Sequence, residues 1–86
     1  MPAIALKKME ERIQNAGVDG LPLGELTRAF QHEDPRRRLM RLATLKAADT
    51  VFTFYRPTPG RGATILVHRR YLDDFEAKNP KDKLIG

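Results

Sequence analysis

The chain has 86 residues, with 16 lysines and arginines against 11 acidic residues and no cysteine, a composition that predicts one small basic domain without disulfides or cysteine-based metal sites. It contains no serine, and His32 and His68 are isolated from other histidines, so we expect no enzyme activity, no metal and no cofactor. The first residues lack the charged flank and apolar run of a secretory signal, which favours a cytoplasmic protein.

The N-terminal region predicts an amphipathic helix over residues 3–16, with Gly17 as the residue that ends it. Its apolar stripe recurs at steps of three and four residues and consists of Leu6, Met9, Ile13 and Ala16. Residues 18–21 predict a turn with a short extended piece. A second helix then begins near Pro22, and the side chains on its buried edge are Leu23, Leu26 and Phe30.

A third helix is predicted over residues 34–48. Asp34 can accept backbone hydrogen bonds as the N-cap, and Pro35 suits the first helical position. On a helical wheel, the side chains that share the predicted core-facing sector are Leu39, Leu42 and Leu45. The opposite, exposed stripe contains Arg37, Arg41 and Thr44, flanked by Arg36 and Met40.

Two β-rich runs around a proline- and glycine-rich loop predict a β-hairpin. The runs are residues 51–55 and 63–68, and Arg56 and Arg61 mark the loop 56–62 between them. The aromatic side chains expected mainly in the core, with one of the two strand faces partly exposed, are Phe52, Phe54 and Tyr55.

The C-terminal region predicts one more short element. Residues 69–77 can form a last helix that buries Leu72 and Phe75, while residues 78–86 are polar and predict a flexible tail. The predicted domain therefore covers residues 1–77.

The positive charge is unevenly distributed along the chain. Residues 35–70 hold nine basic side chains against one acid, Asp49, so this segment has a charge of +8. Both flanking segments are slightly acidic, which reduces the net charge of the whole chain to +5. A concentrated basic field in a small domain is typical of a polyanion binder, so nucleic acid is the first partner to consider. The arginines for which an ion pair or a packed stem is a strong alternative are Arg38, Arg69 and Arg70.

The predicted order of helix, short strand, helix, turn, arginine-rich helix and arginine-tipped hairpin resembles the winged helix-turn-helix superfamily over residues 3–70. The resemblance implies a small α+β domain of three helices and a two-stranded β-hairpin wing. It also implies that helix 34–48 enters the major groove of DNA and that loop 56–62 is the wing. The DNA-binding residues assigned in this way are Arg36, Arg37, Arg41, Thr44, Arg56 and Arg61.

The sequence therefore predicts a sequence-specific double-stranded DNA-binding protein, a small transcriptional regulator of a prokaryote, virus or plasmid, acting as a homodimer. Six basic groups on phosphates would give a slope of log K against log salt of roughly −5 per protomer. The alternatives are an accessory protein of replication, partition or conjugation and a winged-helix module that binds protein or RNA. No membrane or small-molecule partner is evident. The candidate dimer surfaces are helix 1 and the last helix, with Tyr71, Leu72 and Phe75.

Overall fold

Helices and short strands alternate along most of the chain. The structure, a computed structural model, describes residues 2–85, with side chains from residue 5 onward. The helices are α1 (Pro2–Asn15), α2 (Leu23–Ala29), α3 (Pro35–Ala47) and α4 (Leu72–Lys78), and single 3₁₀ turns cover Gly17–Asp19 and Arg69–Tyr71. The strands are β1 (Leu21–Pro22), β2 (Val51–Arg56), β3 (Ala63–His68) and β4 (Lys83–Ile85).

The three predicted N-terminal helices form close to their expected bounds. In α1 the apolar stripe is buried as predicted, and Met9 and Ile13 are inaccessible to solvent. In α2 Leu26 is buried, with Leu23 and Phe30 packed beside it. In α1 and α2 the helical period of the apolar residues predicted the buried side correctly, because each of these two helices buries only one apolar stripe. No helix within residues 2–85 is long and apolar enough to cross a membrane.

The four strands form one antiparallel sheet in the order β1-β3-β2-β4. The predicted hairpin consists of β2 and β3, with Arg56 opposite Ala63 beside the connecting loop and Val51 opposite His68 at the open end. The short β1 lies on the other side of β3, with Leu21 opposite Leu66. The chain is thus a small α+β domain, as the sequence predicted, with helices packed on a larger sheet than expected.

Both faces of the sheet are covered, because successive side chains of β2 and β3 point to opposite faces. One face and helices α1 to α3 enclose the first core, which consists of Met9, Ile13, Leu21, Leu26, Leu45, Val51 and Leu66. The other face packs against α4 and encloses the second core of Phe54, Ile65, Val67 and Phe75. There the ring centroids of Phe54 and Phe75 lie 4.8 Å apart. The predicted last helix therefore forms, and it buries Phe75 completely.

The C-terminal segment departs from the prediction of a flexible tail over residues 78–86. Residues Lys83–Ile85 form β4, which pairs with β2 and places Ile85 opposite Thr53. The predicted two-stranded hairpin is therefore part of a four-stranded sheet. Three residues are too few to show the alternation that identifies a strand, so the sequence carried no usable signal for β4.

The face that α3 turns to the core also differs from the predicted one. Leu45 is buried and Leu42 packs against the first core, but Leu39 is 65% exposed. The inward sector of the helix is rotated toward Arg38 and Arg41, whose side chains bond to the segment that precedes α3. A wheel that weighs only apolar character cannot register such polar contacts, and it therefore placed Leu39 in the core wrongly.

An ion pair joins α4 to the turn after α1. Lys78 Nζ donates a hydrogen bond to Asp19 Oδ1 at 2.6 Å. This hydrogen bond, together with the positive charge of Lys78, holds the pKa of the Asp19 carboxyl below its usual value. Both side chains are more than half exposed, so water screens the pair and its contribution to stability is small.

Candidate nucleic-acid interface

The first turn of α3 is fixed by the residue that precedes the helix. Asp34 Oδ1 accepts a hydrogen bond from the backbone N–H of Arg36 at 2.9 Å, and Pro35 occupies the first helical position. This N-cap, which the sequence predicted, satisfies a backbone donor that has no partner within the helix. Arg36 and Arg37 therefore follow at defined positions at the start of α3.

Arg36 and Arg37 are two neighbouring exposed arginines in the first turn of α3. Both residues are exposed, and within residues 5–85 neither guanidinium has an ion-pair partner. The whole of α3, Pro35–Ala47, contains no acidic residue. Positive charge in a first turn opposes the helix dipole and costs about 0.3–1 kcal/mol per group. A bound anion at this end of α3 would offset that cost.

Arg38 and Arg41 instead contact the turn between α2 and α3. Arg38 Nη1 donates to the backbone carbonyl of Phe30 at 3.2 Å, and Arg41 Nη1 donates to Glu33 Oε2. The Arg41 side chain is only 12% exposed, so its predicted place on the outward stripe is wrong. The physical reason is the Glu33 carboxylate, which offers a partner on the inner side of the helix. These two arginines fix the angle between α2 and α3.

Thr44 keeps its predicted exposed position on α3. Its Oγ1 donates to the backbone carbonyl of Met40 at 2.9 Å, a bond within the helix that leaves the hydroxyl oxygen free to accept. The residues that share the exposed surface of the helix with Thr44 are, unexpectedly, mostly apolar: Leu39, Met40, Ala43 and Ala47.

The loop between β2 and β3 presents Arg61 to solvent. Thr58 Oγ1 donates to the backbone carbonyl of Arg61 and so closes the loop on itself. At its far end, Gly62 lies against the ring of Tyr55, where an added Cβ would come within 2.0 Å of the ring. Only glycine allows this approach, and the Arg61 backbone is held from both sides as a result.

Arg56 does not belong to the exposed loop surface that the sequence predicted. Its Nε and Nη2 donate to Asp82 Oδ2 at 2.9 and 2.8 Å, and Nη2 also donates to Asn79 Oδ1 at 3.4 Å. The Asp82 side chain is 5% exposed, so this is a partly buried pair between β2 and the segment before β4. Arg56 therefore holds the C-terminal segment on the hairpin, a role that depends on the strand the sequence did not reveal.

A shallow open groove of about 500 Å³ runs between the start of α2 and the end of the loop. Arg61 lies on its rim beside Gly62, and Thr27 and Thr64 supply hydroxyl groups to its walls. The groove is lined otherwise by small and apolar residues: Pro22, Leu23, Gly24 and Ala63. Arg61 is the one basic residue among those that line this groove.

Arg69 and Arg70 follow β3 in the 3₁₀ turn and are exposed. They form no ion pair within residues 5–85, although pairing with the acidic residues of α4 was one expectation. The turn itself is fixed by His68, because its Nδ1 accepts from the backbone N–H of Arg70 at 3.0 Å. The other ring nitrogen, Nε2, lies 3.0 Å from Glu10 Oε2 on α1. His68 is therefore a structural residue that links the hairpin to α1.

The six predicted site residues thus fall into two groups. Those that lie on the exposed surface of α3 or the loop are Arg36, Arg37, Thr44 and Arg61, whereas Arg41 and Arg56 make internal ion pairs. The partners Glu33 and Asp82 were missed because they lie eight and 26 residues away in sequence and meet the arginines only through the fold. No local pattern links residues at those spacings.

Comparison of the chain with protein-family models, with curated proteins and with solved structures finds no match.

Proposed function

We propose that this protein is a sequence-specific double-stranded DNA-binding protein of the winged-helix type, acting as a small transcriptional regulator. The observation that carries the proposal is the outward pair Arg36 and Arg37 on a 13-residue helix without acidic side chains. Duplex DNA fits such a surface because its major groove admits a helix between two rows of phosphates. An arginine can also donate two hydrogen bonds to O6 and N7 of guanine on the groove floor.

The order of the elements supports the winged-helix part of the proposal. Three helices precede the hairpin, and β1 from between α1 and α2 pairs with β3. In a helix-turn-helix protein the second helix of the motif lies in the major groove and the first crosses the backbone. In this proposal α3 and α2 take those places, and the contacts of Arg38 and Arg41 to the intervening turn keep their relative angle.

The proposed contact set is smaller than the six residues expected from the sequence. Arg36 and Arg37 contact guanine or phosphate at the N-terminal end of α3, and Thr44 contacts the backbone or a base edge farther along the helix. Arg61 contacts phosphates or the adjacent minor groove from the hairpin loop. Arg41 and Arg56 are not part of the proposed contact set. They form ion pairs with Glu33 and Asp82 that hold α3 and the C-terminal segment in place.

A homodimer is also part of the proposal, because one small module covers little DNA and two half-sites raise affinity and specificity together. The buried Phe75 cannot supply the dimer surface that the sequence suggested. Two exposed apolar side chains that share one face of the sheet near its β4 edge, Tyr55 and Ile85, offer a surface for the second copy instead. Sedimentation velocity measures the oligomeric state of the protein, alone and with DNA. A protein that stays monomeric at all concentrations and binds each DNA site as a single copy would contradict the proposed homodimer.

Selection of bound duplexes from a random pool, with single-stranded DNA and RNA of the same sequences as competitors, tests the proposed function. We expect one defined duplex sequence to be enriched, and the single strands to compete at least about tenfold more weakly. A pool that shows no enrichment contradicts sequence-specific binding, and stronger competition by RNA favours an RNA module. Finding the selected sequence at promoters rather than at an origin separates a regulator from an accessory replication or partition protein.

A further inference from the structure

Two large apolar side chains project from the most basic helix of the chain. Leu39 is 65% exposed and Met40 is 69% exposed, and no residue of the described chain covers them. The neighbouring Ala43 and Ala47 are exposed as well. An apolar surface of this kind on a small domain usually marks a contact with another molecule, since single exposed hydrophobic residues are ordinary but a contiguous group is not.

The apolar residues lie on the outward side of α3, with Leu39 at its flank, about 60° from the direction opposite the buried Leu45. With 3.6 residues per turn, Arg36, Met40, Ala43 and Ala47 fall within about 40° of the direction opposite the buried Leu45. This outward row is therefore charged at its N-terminal end and apolar along the rest. Ala43 and Ala47 have small side chains, so another molecule that contacts this side of α3 can approach the helix backbone closely.

The charges around the row indicate which molecule covers it. Arg36 and Arg37 lie at one end and Lys46 at the other, all exposed, and α3 has no acidic residue. A second copy placed face to face on α3 would bring these like charges together. The fitting occupant has dense negative charge at the rims and apolar groups between them. The major groove of duplex DNA has this arrangement, with phosphates along both rims and thymine C5-methyl groups on the floor.

We propose that Leu39, Met40 and Ala43 bind thymine methyl groups in the major groove, and that the preferred DNA site therefore has thymines opposite the middle of α3. This specificity rests on the proposed DNA-binding function. Arg36 and Arg37 bind phosphate or guanine at the N-terminal end of the helix, and the apolar row selects A·T pairs beyond them. The discrimination comes from burial of the methyl group, which a G·C pair or a uracil lacks.

Replacement of thymine by uracil in the selected duplex tests the proposal, because it removes the C5-methyl group and leaves base pairing and phosphates unchanged. We expect each thymine under α3 to contribute about threefold to fivefold to the affinity of the wild-type protein. Uracil in the flanking DNA is the matched control and should change nothing. In the variant Leu39→Ala/Met40→Ala, affinity for the thymine duplex should fall and the thymine-to-uracil ratio should approach one.

Each contrary result has a distinct meaning. Equal affinity of the wild-type protein for the thymine and uracil duplexes overturns methyl recognition and leaves the proposed DNA binding intact. A double variant that keeps wild-type affinity for the thymine duplex also overturns the proposal, because Leu39 and Met40 then make no contact with the DNA. Failure of the wild-type protein to bind any duplex contradicts the proposed function itself. Because both substituted side chains are exposed, the variant should fold normally, which circular dichroism verifies.

Discussion

The six arginines between residues 36 and 61 differ in what their guanidinium groups contact. Those that donate to other groups of the chain are Arg38, Arg41 and Arg56. Those that are exposed and form no ion pair within residues 5–85 are Arg36, Arg37 and Arg61. Three of these six arginines are therefore free for a ligand, and they lie on α3 and the hairpin loop, while Arg69 and Arg70 add exposed charge in the 3₁₀ turn after β3.

Arg41→Ala should lower the free energy of unfolding by about 1–2 kcal/mol, because it removes the hydrogen-bonded partner of Glu33. Arg37→Ala is the matched control, since it removes the same group from an exposed position of the same helix. Its effect should stay within about 0.5 kcal/mol. Urea denaturation followed by circular dichroism measures both variants. Equal losses for the two would contradict a structural role for Arg41.

Gly20 combines a left-handed backbone conformation with close packing against the second core, so its replacement should lower stability. Its φ is 76°, and an added Cβ would lie 2.5 Å from Ile65 Cγ2 and 3.1 Å from the ring of Phe75. We expect Gly20→Ala to lower the free energy of unfolding by about 1–3 kcal/mol. Gly24→Ala is the control, because Gly24 lies in α2 and an added Cβ there meets open space. It should raise stability by about 0.5–1 kcal/mol. Thermal denaturation measures the stability of both variants. A Gly20→Ala variant more stable than Gly24→Ala would contradict the requirement for glycine at position 20.

At the scale of the elements, an ion pair holds the C-terminal strand on the hairpin. Arg56 donates three hydrogen bonds, from Nε and Nη2, to the largely buried Asp82, which precedes β4. Because Arg56 is itself one third exposed, we expect a coupling energy of about 1–3 kcal/mol, toward the lower end for buried pairs. The double-mutant cycle of Arg56→Ala and Asp82→Ala measures it. Coupling below about 0.5 kcal/mol would show that β4 is held by its backbone hydrogen bonds alone.

The parts of the fold that the sequence predicted are those with local signals. The stripe of α1, the N-cap at Asp34 and the alternation in β2 each involve neighbouring residues, and each is present in the structure. The parts that it missed depend on distant residues. β4 exists because β2 offers a free edge, and Arg41 turns inward because Glu33 lies beneath it. Pattern reasoning has no access to such contacts.

At the scale of the whole molecule, the proposed interface has fewer free basic groups than the sequence suggested. If the three basic residues of the proposed contact set, Arg36, Arg37 and Arg61, neutralise phosphates, the slope of log K against log salt should be roughly −3 per protomer, instead of −5. Titration of the selected duplex at several salt concentrations measures this slope. A slope near zero would contradict contact with the DNA backbone, and a slope of about −5 or steeper would mean that further basic groups contact it, either the exposed Arg69 and Arg70 or an Arg41 or Arg56 that leaves its internal partner.

The central claim is that the outward arginine pair of α3 binds duplex DNA, and a comparison of two double variants tests it most directly. Arg36→Ala/Arg37→Ala removes two charges from α3, and Lys8→Ala/Arg12→Ala removes two from exposed positions on α1. We expect the first variant to bind the selected duplex at least about a hundredfold more weakly, with a salt slope smaller by about 2. The α1 variant should lose less than about threefold. Equal losses in the two variants would show that only the net charge matters and would contradict the claim.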